Sequence, residues 1–270
     1  MKQTIKNSLI GLILSGFILS GCGAVPVTGR KQILLVSDQE IFQAGLVQYK
    51  EYLNGATLSS NPSASTMVKT VGRRLADATE KYLRSVGLQS EISNFAWEFN
   101  LVRDKQVNAF CMPGGKIVVY EGLLTVAKTE EELAVVLGHE IAHAVAKHSN
   151  ERMSQEILAQ YGMAVLSNVL SEKSAAVRQT ATTVFGLGAQ VGVMLPYSRK
   201  HEYEADYMGI VFMELAGYDS KAAVDFWEKM SSLSGGSTPE FLSTHPSDAK
   251  RVANLQNKIP EAKSLAQSMK

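Results

Sequence analysis

Residues 129–148 read TEEELAVVLGHEIAHAVAKH, a helix by both its start signal and its spacing. Thr129 followed three residues later by Glu132 is a capping-box start. Leu133, Val136 and Leu137 form an apolar stripe, and Ala134 and Ala142 keep the neighbouring faces slim. His139 and His143, four residues apart, leave the helix on one side about one turn apart, within reach of a single ion. Glu140 lies about 100° round the circumference from His139, so it can stand beside a reacting water without being a ligand.

This is the H-E-x-x-H spacing found in zinc peptidases. The extended pattern with a third histidine fails, because position 146 is Ala and position 149 is Ser. His148, nine residues after His139, would point to roughly the opposite side of a continuous helix and reads as a solvated or helix-terminal histidine. A catalytic zinc needs three protein ligands and an open position, so another segment must contribute. Residues 198–206, SRKHEYEAD, do so: on a helix Glu202 and Asp206 share a face. Glu202 can then reach the metal while Asp206 reaches a ligand histidine and fixes its tautomer. Glu204 faces away and reads as solvated or salt-bridged, and His201 lies about 100° off the Glu202 face.

Outside these segments, 45% hydrophobic and 20% charged residues over 270 positions are ordinary for a globular protein. A net charge of +1 without a run of Lys and Arg gives no electrostatic case for nucleic acid. Residues 1–21 read as a targeting segment, with Lys2 and Lys6 before a short apolar core and Leu19-Ser20-Gly21 before Cys22. The segment resembles a bacterial lipoprotein signal, which implies an acylated Cys22 as a membrane anchor. Gly23 after that cysteine favours the outer membrane, with residues 22–35 as a lipidated tether. With Cys22 lipidated, Cys111 has no disulfide partner and reads as a small buried apolar residue.

Helices are expected over 37–53, opened by Ser37 and Glu40, and over 64–86. Phe95, Trp97, Phe99 and Leu101 alternate as in a half-buried strand, and 107–112 and 116–120 flank a Pro-Gly-Gly turn. The fold class is therefore α+β: mainly helical, with a small antiparallel sheet packed beside the His139 helix. Asn108, Ala109 and Phe110 would form an edge able to pair with an extended peptide. Residues 181–197 are almost uncharged but short for a membrane span, and read as a buried or groove-lining helix ending before Pro196. A last helix is expected from 247 to 258 before Pro260. A single domain over 36–260 would then be followed by a polar tail, 261–270.

Taken together, Thr28 to Gln32, Asn108-Ala109-Phe110 with Pro113-Gly114-Gly115, the His139 helix, Ser198 to Asp206, and His245-Pro246 with Arg251 stand in a family order. They resemble the HtpX and CAAX prenyl protease type of zinc metallopeptidase, a gluzincin family, and within it a soluble periplasmic lipoprotein branch. The resemblance implies a zincin-like fold and one Zn2+ held by His139, His143 and Glu202, with Asp206 behind them. It implies Glu140 as general base and places His245 near the metal, able to occupy the open position as a plug. Arg251 would pair with a site carboxylate or a substrate carbonyl. The implied activity is endopeptidase cleavage of misfolded or unassembled envelope proteins, with the outer-membrane assembly machinery as a partner. The alternative is a latent, chaperone-like binding protein that keeps the ligands.

Overall fold

The computed structural model describes residues 22–171, 173–189, 195–233, 239–246 and 249–269. In chain order these form β1 (Cys22–Ala24), β2 (Lys31–Ile33), α1 (Asp38–Gly55), α2 (Pro62–Ser85) and the short α3 (Gln89–Ile92). Strands β3 (Glu98–Val102), β4 (Ala109–Met112) and β5 (Lys116–Tyr120) follow. The remainder is helical: α4 (Glu130–Val145), α5 (His148–Val169), α6 (Ala175–Ala189), α7 (Leu195–Ala216), α8 (Ala222–Ser232), α9 (Glu240–Thr244) and α10 (Ala249–Ser268). The protein is thus mainly helical with small sheets packed alongside, consistent with the zincin-like expectation.

Helix α4 is the axis of the core. Its capping box is formed, with Thr129 accepting from the Glu132 amide and Glu132 accepting in return. From Leu133 to Ala142 every side chain is buried, as expected of a helix apolar nearly all round. Its most extensive contact is with α7, and α2 and α8 pack on its other sides. The α4–α7 crossing is close because it meets at two glycines. A Cβ on Gly209 would lie 3.0 Å from the His139 amide nitrogen, and one on Gly138 3.1 Å from the Gly209 carbonyl oxygen. That approach lets acids on α7 reach histidines on α4. Gly209→Ala is expected to force the helices apart at a cost of about 1–3 kcal/mol, read from the denaturant midpoint of unfolding.

The three-stranded sheet has the order β3-β5-β4. The expected antiparallel pairing holds for β4 and β5, with Ala109 opposite Val119, but β3 runs parallel to β5. Side-chain alternation reports a strand and its faces; it carries no direction, and here β5 inserts between the two earlier strands. β4 is left as the edge beside α4.

Two expectations at the ends of the domain are corrected. Residues 22–35 are not a free tether: β1 and β2 form an antiparallel hairpin, with Val25 1% exposed and Gln32 buried. At the other end α10 does not stop before Pro260 but carries it inside the helix. Arg251, Leu255, Ile259, Ala262 and Ala266 are buried at steps of three and four, and this packed stripe outweighs one lost backbone hydrogen bond at the exposed Pro260. Residues 261–268 therefore belong to the folded unit rather than to a frayed tail.

The targeting segment lies outside the described residues, as does 190–194 within the apolar 181–197 stretch. Helix α7 begins with Pro196 in its first turn, where a missing N–H costs nothing. Among the described residues no helix is long and apolar enough to cross a membrane.

Candidate metal centre

Three separate parts of the chain converge on one point. α4 contributes His139 and His143, α7 contributes Glu202, and the turn after α9 contributes His245; one nitrogen or oxygen from each lies within 4.8 Å of all the others. His139 Nε2 is 3.0 Å from His143 Nε2 and 3.1 Å from His245 Nδ1. Glu202 places Oε2 3.2 Å from His139 Nε2 and Oε1 3.3 Å from His143 Nε2. Zinc bonds of about 2.0–2.1 Å in a tetrahedron imply donor separations of about 3.3 Å, so these residues fit a single Zn2+. Lone pairs this close and this buried repel one another unless a cation or a shared proton lies between them.

Behind His139 sits a buried acid–base pair. His139 Nδ1 donates to Asp206 Oδ1 at 3.0 Å, which leaves Nε2 as the free donor atom. Arg251 fixes Asp206 in turn, through Nε at 2.5 Å and Nη2 at 2.8 Å. Its Nη1 also donates to the carbonyls of His245 and Pro246, both at 3.2 Å. The guanidinium lies 3.8 Å over the Trp227 ring, Trp227 stacks on Phe241, and Phe241 stacks on His245. Arg251 is 1% exposed, so of its two expected partners the structure shows the site carboxylate and leaves no access to a substrate carbonyl.

Glu140 points into the same space from α4 without joining the donor set. Its Oε2 accepts from the Cys111 amide at 2.9 Å, while Oε1 is buried and makes no hydrogen bond. His245 Nε2 is 3.3 Å from that oxygen, outside hydrogen-bonding geometry. Burial raises the carboxyl of Glu140 above the usual range, partly offset by the neighbouring histidines. An acid raised this way is suited to take and release a proton near neutrality.

Electrostatics within the donor set divide by residue. Burial opposes the charge on Glu202, but His143 and the other histidines hold it well below the usual carboxylate range. Burial pushes His143 down to about 3. Burial opposes a charged His139 as well, but Asp206 and Glu202 raise it to about 9. At neutral pH the metal-free His139 thus holds a proton that an ion must displace. Zinc affinity is expected to rise with pH up to about 9 and to fall in acid. Titrations in buffers of different ionisation enthalpy check this, with release of about one proton per ion expected near pH 7.

The centre opens onto a cleft of ≈ 550 Å3 lined in part by Asn108, Phe110, Cys111 and His143. Edge strand β4 bounds it. The Cys111 amide turns toward Glu140, and the Val107 carbonyl accepts from the Phe241 amide. Ala109, between them, is 1% exposed. Cys111 is half-buried at the cleft wall, and burial next to Glu140 pushes its thiol up, which leaves it a poor nucleophile.

Sequence reasoning missed a second set of buried polar groups. His148 is 4% exposed rather than solvated, because Lys147 adopts a left-handed conformation (φ 56°) and the chain restarts as α5. Its Nδ1 lies 2.8 Å from His143 Nδ1. His201, Glu151 and Glu204 are buried around it. A signal was present: His148 with Glu151 and His201 with Glu204 repeat one His-x-x-Glu spacing on two helices.

The sequence profile of peptidase family M48 matches residues 69–259. The mitochondrial metalloendopeptidase OMA1 of Schizosaccharomyces pombe is 35% identical over 242 residues, 88% of this chain and 66% of that protein. The OMA1 of Arabidopsis thaliana is 40% identical over 170 residues, 60% of this chain and 31% of that protein. The beta-barrel assembly-enhancing protease of Yersinia pestis is 28% identical over 276 residues, 96% of this chain and 54% of that protein. The chain spans from about a third to two thirds of the length of these relatives. His139, Glu140, His143, Glu202, Asp206, His245 and Arg251 all fall within the matched profile, and this chain belongs to peptidase family M48.

Proposed function

We propose that the protein is a zinc-dependent endopeptidase of a bacterial cell envelope, anchored to the outer membrane through Cys22 with its catalytic domain facing the periplasm. The observation that carries the reaction is the convergence of His139, His143 and Glu202 beside the unsatisfied, buried Glu140 Oε1. His139, His143 and Glu202 would hold Zn2+, which would supply Lewis acidity for the scissile carbonyl and acidify the attacking water. Glu140 takes the proton of that water at Oε1 and carries it to the leaving amine, while the Cys111 amide holds its other oxygen. Asp206 and Arg251 keep His139 in the tautomer that offers Nε2. The edge of β4 aligns an extended substrate, with Asn108, Ala109 and Phe110 along it.

One relative supports the envelope setting, and the others support the endopeptidase reading. The Yersinia pestis protein is named for enhancing beta-barrel assembly, and the mitochondrial ones are named metalloendopeptidases. Unfolded or misassembled envelope polypeptides are the substrates this reading favours, with the periplasmic lipoprotein branch as the finer family placement. Cleavage of an unfolded test protein, abolished by a chelator and restored by Zn2+, tests the activity. Cleavage of internal peptides blocked at both ends separates an endopeptidase from an aminopeptidase.

One observation favours a latent form. His245 Nδ1 lies 3.1 Å from both Glu202 Oε2 and His139 Nε2, so it would compete with water for the corner that His139, His143 and Glu202 leave open. His245→Ala is expected to raise peptide cleavage severalfold by uncovering that corner. A fall in kcat would instead make His245 a donor to the developing oxyanion.

A further inference from the structure

His139 is not the only histidine of the pair with a buried support. Since His143 offers Nε2 to the donor set, its hydrogen sits on Nδ1 and donates to His148 Nδ1 at 2.8 Å. His148 must then carry its own hydrogen on Nε2, and it donates to Glu204 Oε2 at 3.0 Å. Glu204 also accepts from Thr28 Oγ1 at 2.5 Å and from Arg30 Nε at 2.8 Å. Arg30 also donates from Nη1 and Nη2 to Glu151, at 2.8 and 2.7 Å. The run His143–His148–Glu204–Arg30 assigns every hydrogen without conflict, and it mirrors His139–Asp206–Arg251 on the other side of the centre.

Thr28 and Arg30 do not come from the helical core. They sit on the turn between β1 and β2, more than 170 positions from Glu204. We propose that this N-terminal hairpin is part of the metal centre: Arg30 and Glu204, acting through His148, hold His143 in the orientation and tautomer that present Nε2 to the ion. The proposal rests on the reading of His143 as a ligand. His148, Glu204 and Arg30 are positioning residues outside the donor set.

The test compares His148→Leu and His148→Asn in the full chain with the parent. Readouts are Zn2+ affinity by competition with a chromophoric chelator, the visible spectrum of the Co2+-loaded protein, and the melting temperature of the metal-free form. His148→Leu removes the acceptor and is expected to weaken Zn2+ binding about 10–100-fold and to alter the Co2+ spectrum. Asn keeps an oxygen near the position of the lost Nδ1, so His148→Asn is expected to recover most of the affinity and a parent-like spectrum. Parent-like Zn2+ affinity and Co2+ spectrum in His148→Leu overturn the relay, and so do equal losses in the Leu and Asn variants. Should His148→Leu fail to fold, Arg30→Gln on the partly exposed rim is expected to weaken Zn2+ binding severalfold, and an unchanged affinity there overturns the relay. A parent that takes up no Zn2+ overturns the metal reading and the relay with it. A parent that binds Zn2+ beside unaffected variants overturns the relay alone.

Discussion

Glu140→Gln is expected to leave zinc uptake intact and to lower peptide cleavage by about 10²–10⁴-fold, the usual contribution of a positioned general base. The substitution is nearly isosteric. Its amide can still accept from the Cys111 amide, so the local fold around β4 should hold. What it removes is the ability of the orphaned oxygen to accept a proton at the mouth of the donor set. Measuring kcat on an unfolded test protein alongside metal content separates this loss from a loss of the ion. Undiminished cleavage by a metal-loaded Glu140→Gln protein would remove Glu140 from the mechanism.

The second large effect is on stability. Arg251 is 1% exposed and neutralises Asp206, whose carboxyl it holds below the usual range against the opposing effect of burial. Arg251→Met keeps much of the volume over Trp227 but leaves Asp206 as a buried charge without its main partner. Removing one member of a buried pair typically costs about 3–5 kcal/mol. For a chain of this size that corresponds to a fall in melting temperature of roughly 6–20 °C. Adding Asp206→Asn removes the stranded charge, so the double variant should melt above Arg251→Met alone. Independent, additive losses would show that the pair is not what stabilises this corner.

The parts of the site legible in the sequence are those set by one helical turn. His139 with His143, and Glu202 with Asp206, need only a period of 3.6 residues and a start signal, and α4 and α7 supply both. His245 and Arg251 were visible only through resemblance to a family, because their approach depends on how α9 and α10 dock against Trp227. His148 was misplaced for a local reason. Lys147 takes a left-handed conformation usually marked by Gly or Asn, so nothing in the sequence said that the helix ends there. Arg30 was invisible because a salt bridge spanning some 170 positions leaves no periodic trace. The parallel pairing of β3 was hidden for a similar reason: it depends on which earlier strand β5 slots beside, and alternation does not encode that choice.

The convergence of α4, α7 and the His245 turn on one point makes a bound ion a removable rivet across 106 positions of chain. Ions that grip only the native fold hold it shut by mass action, so the loaded and stripped forms should differ sharply in how often they open. Zinc is therefore expected to slow, and a chelator to speed, the cleavage of this chain by an added protease.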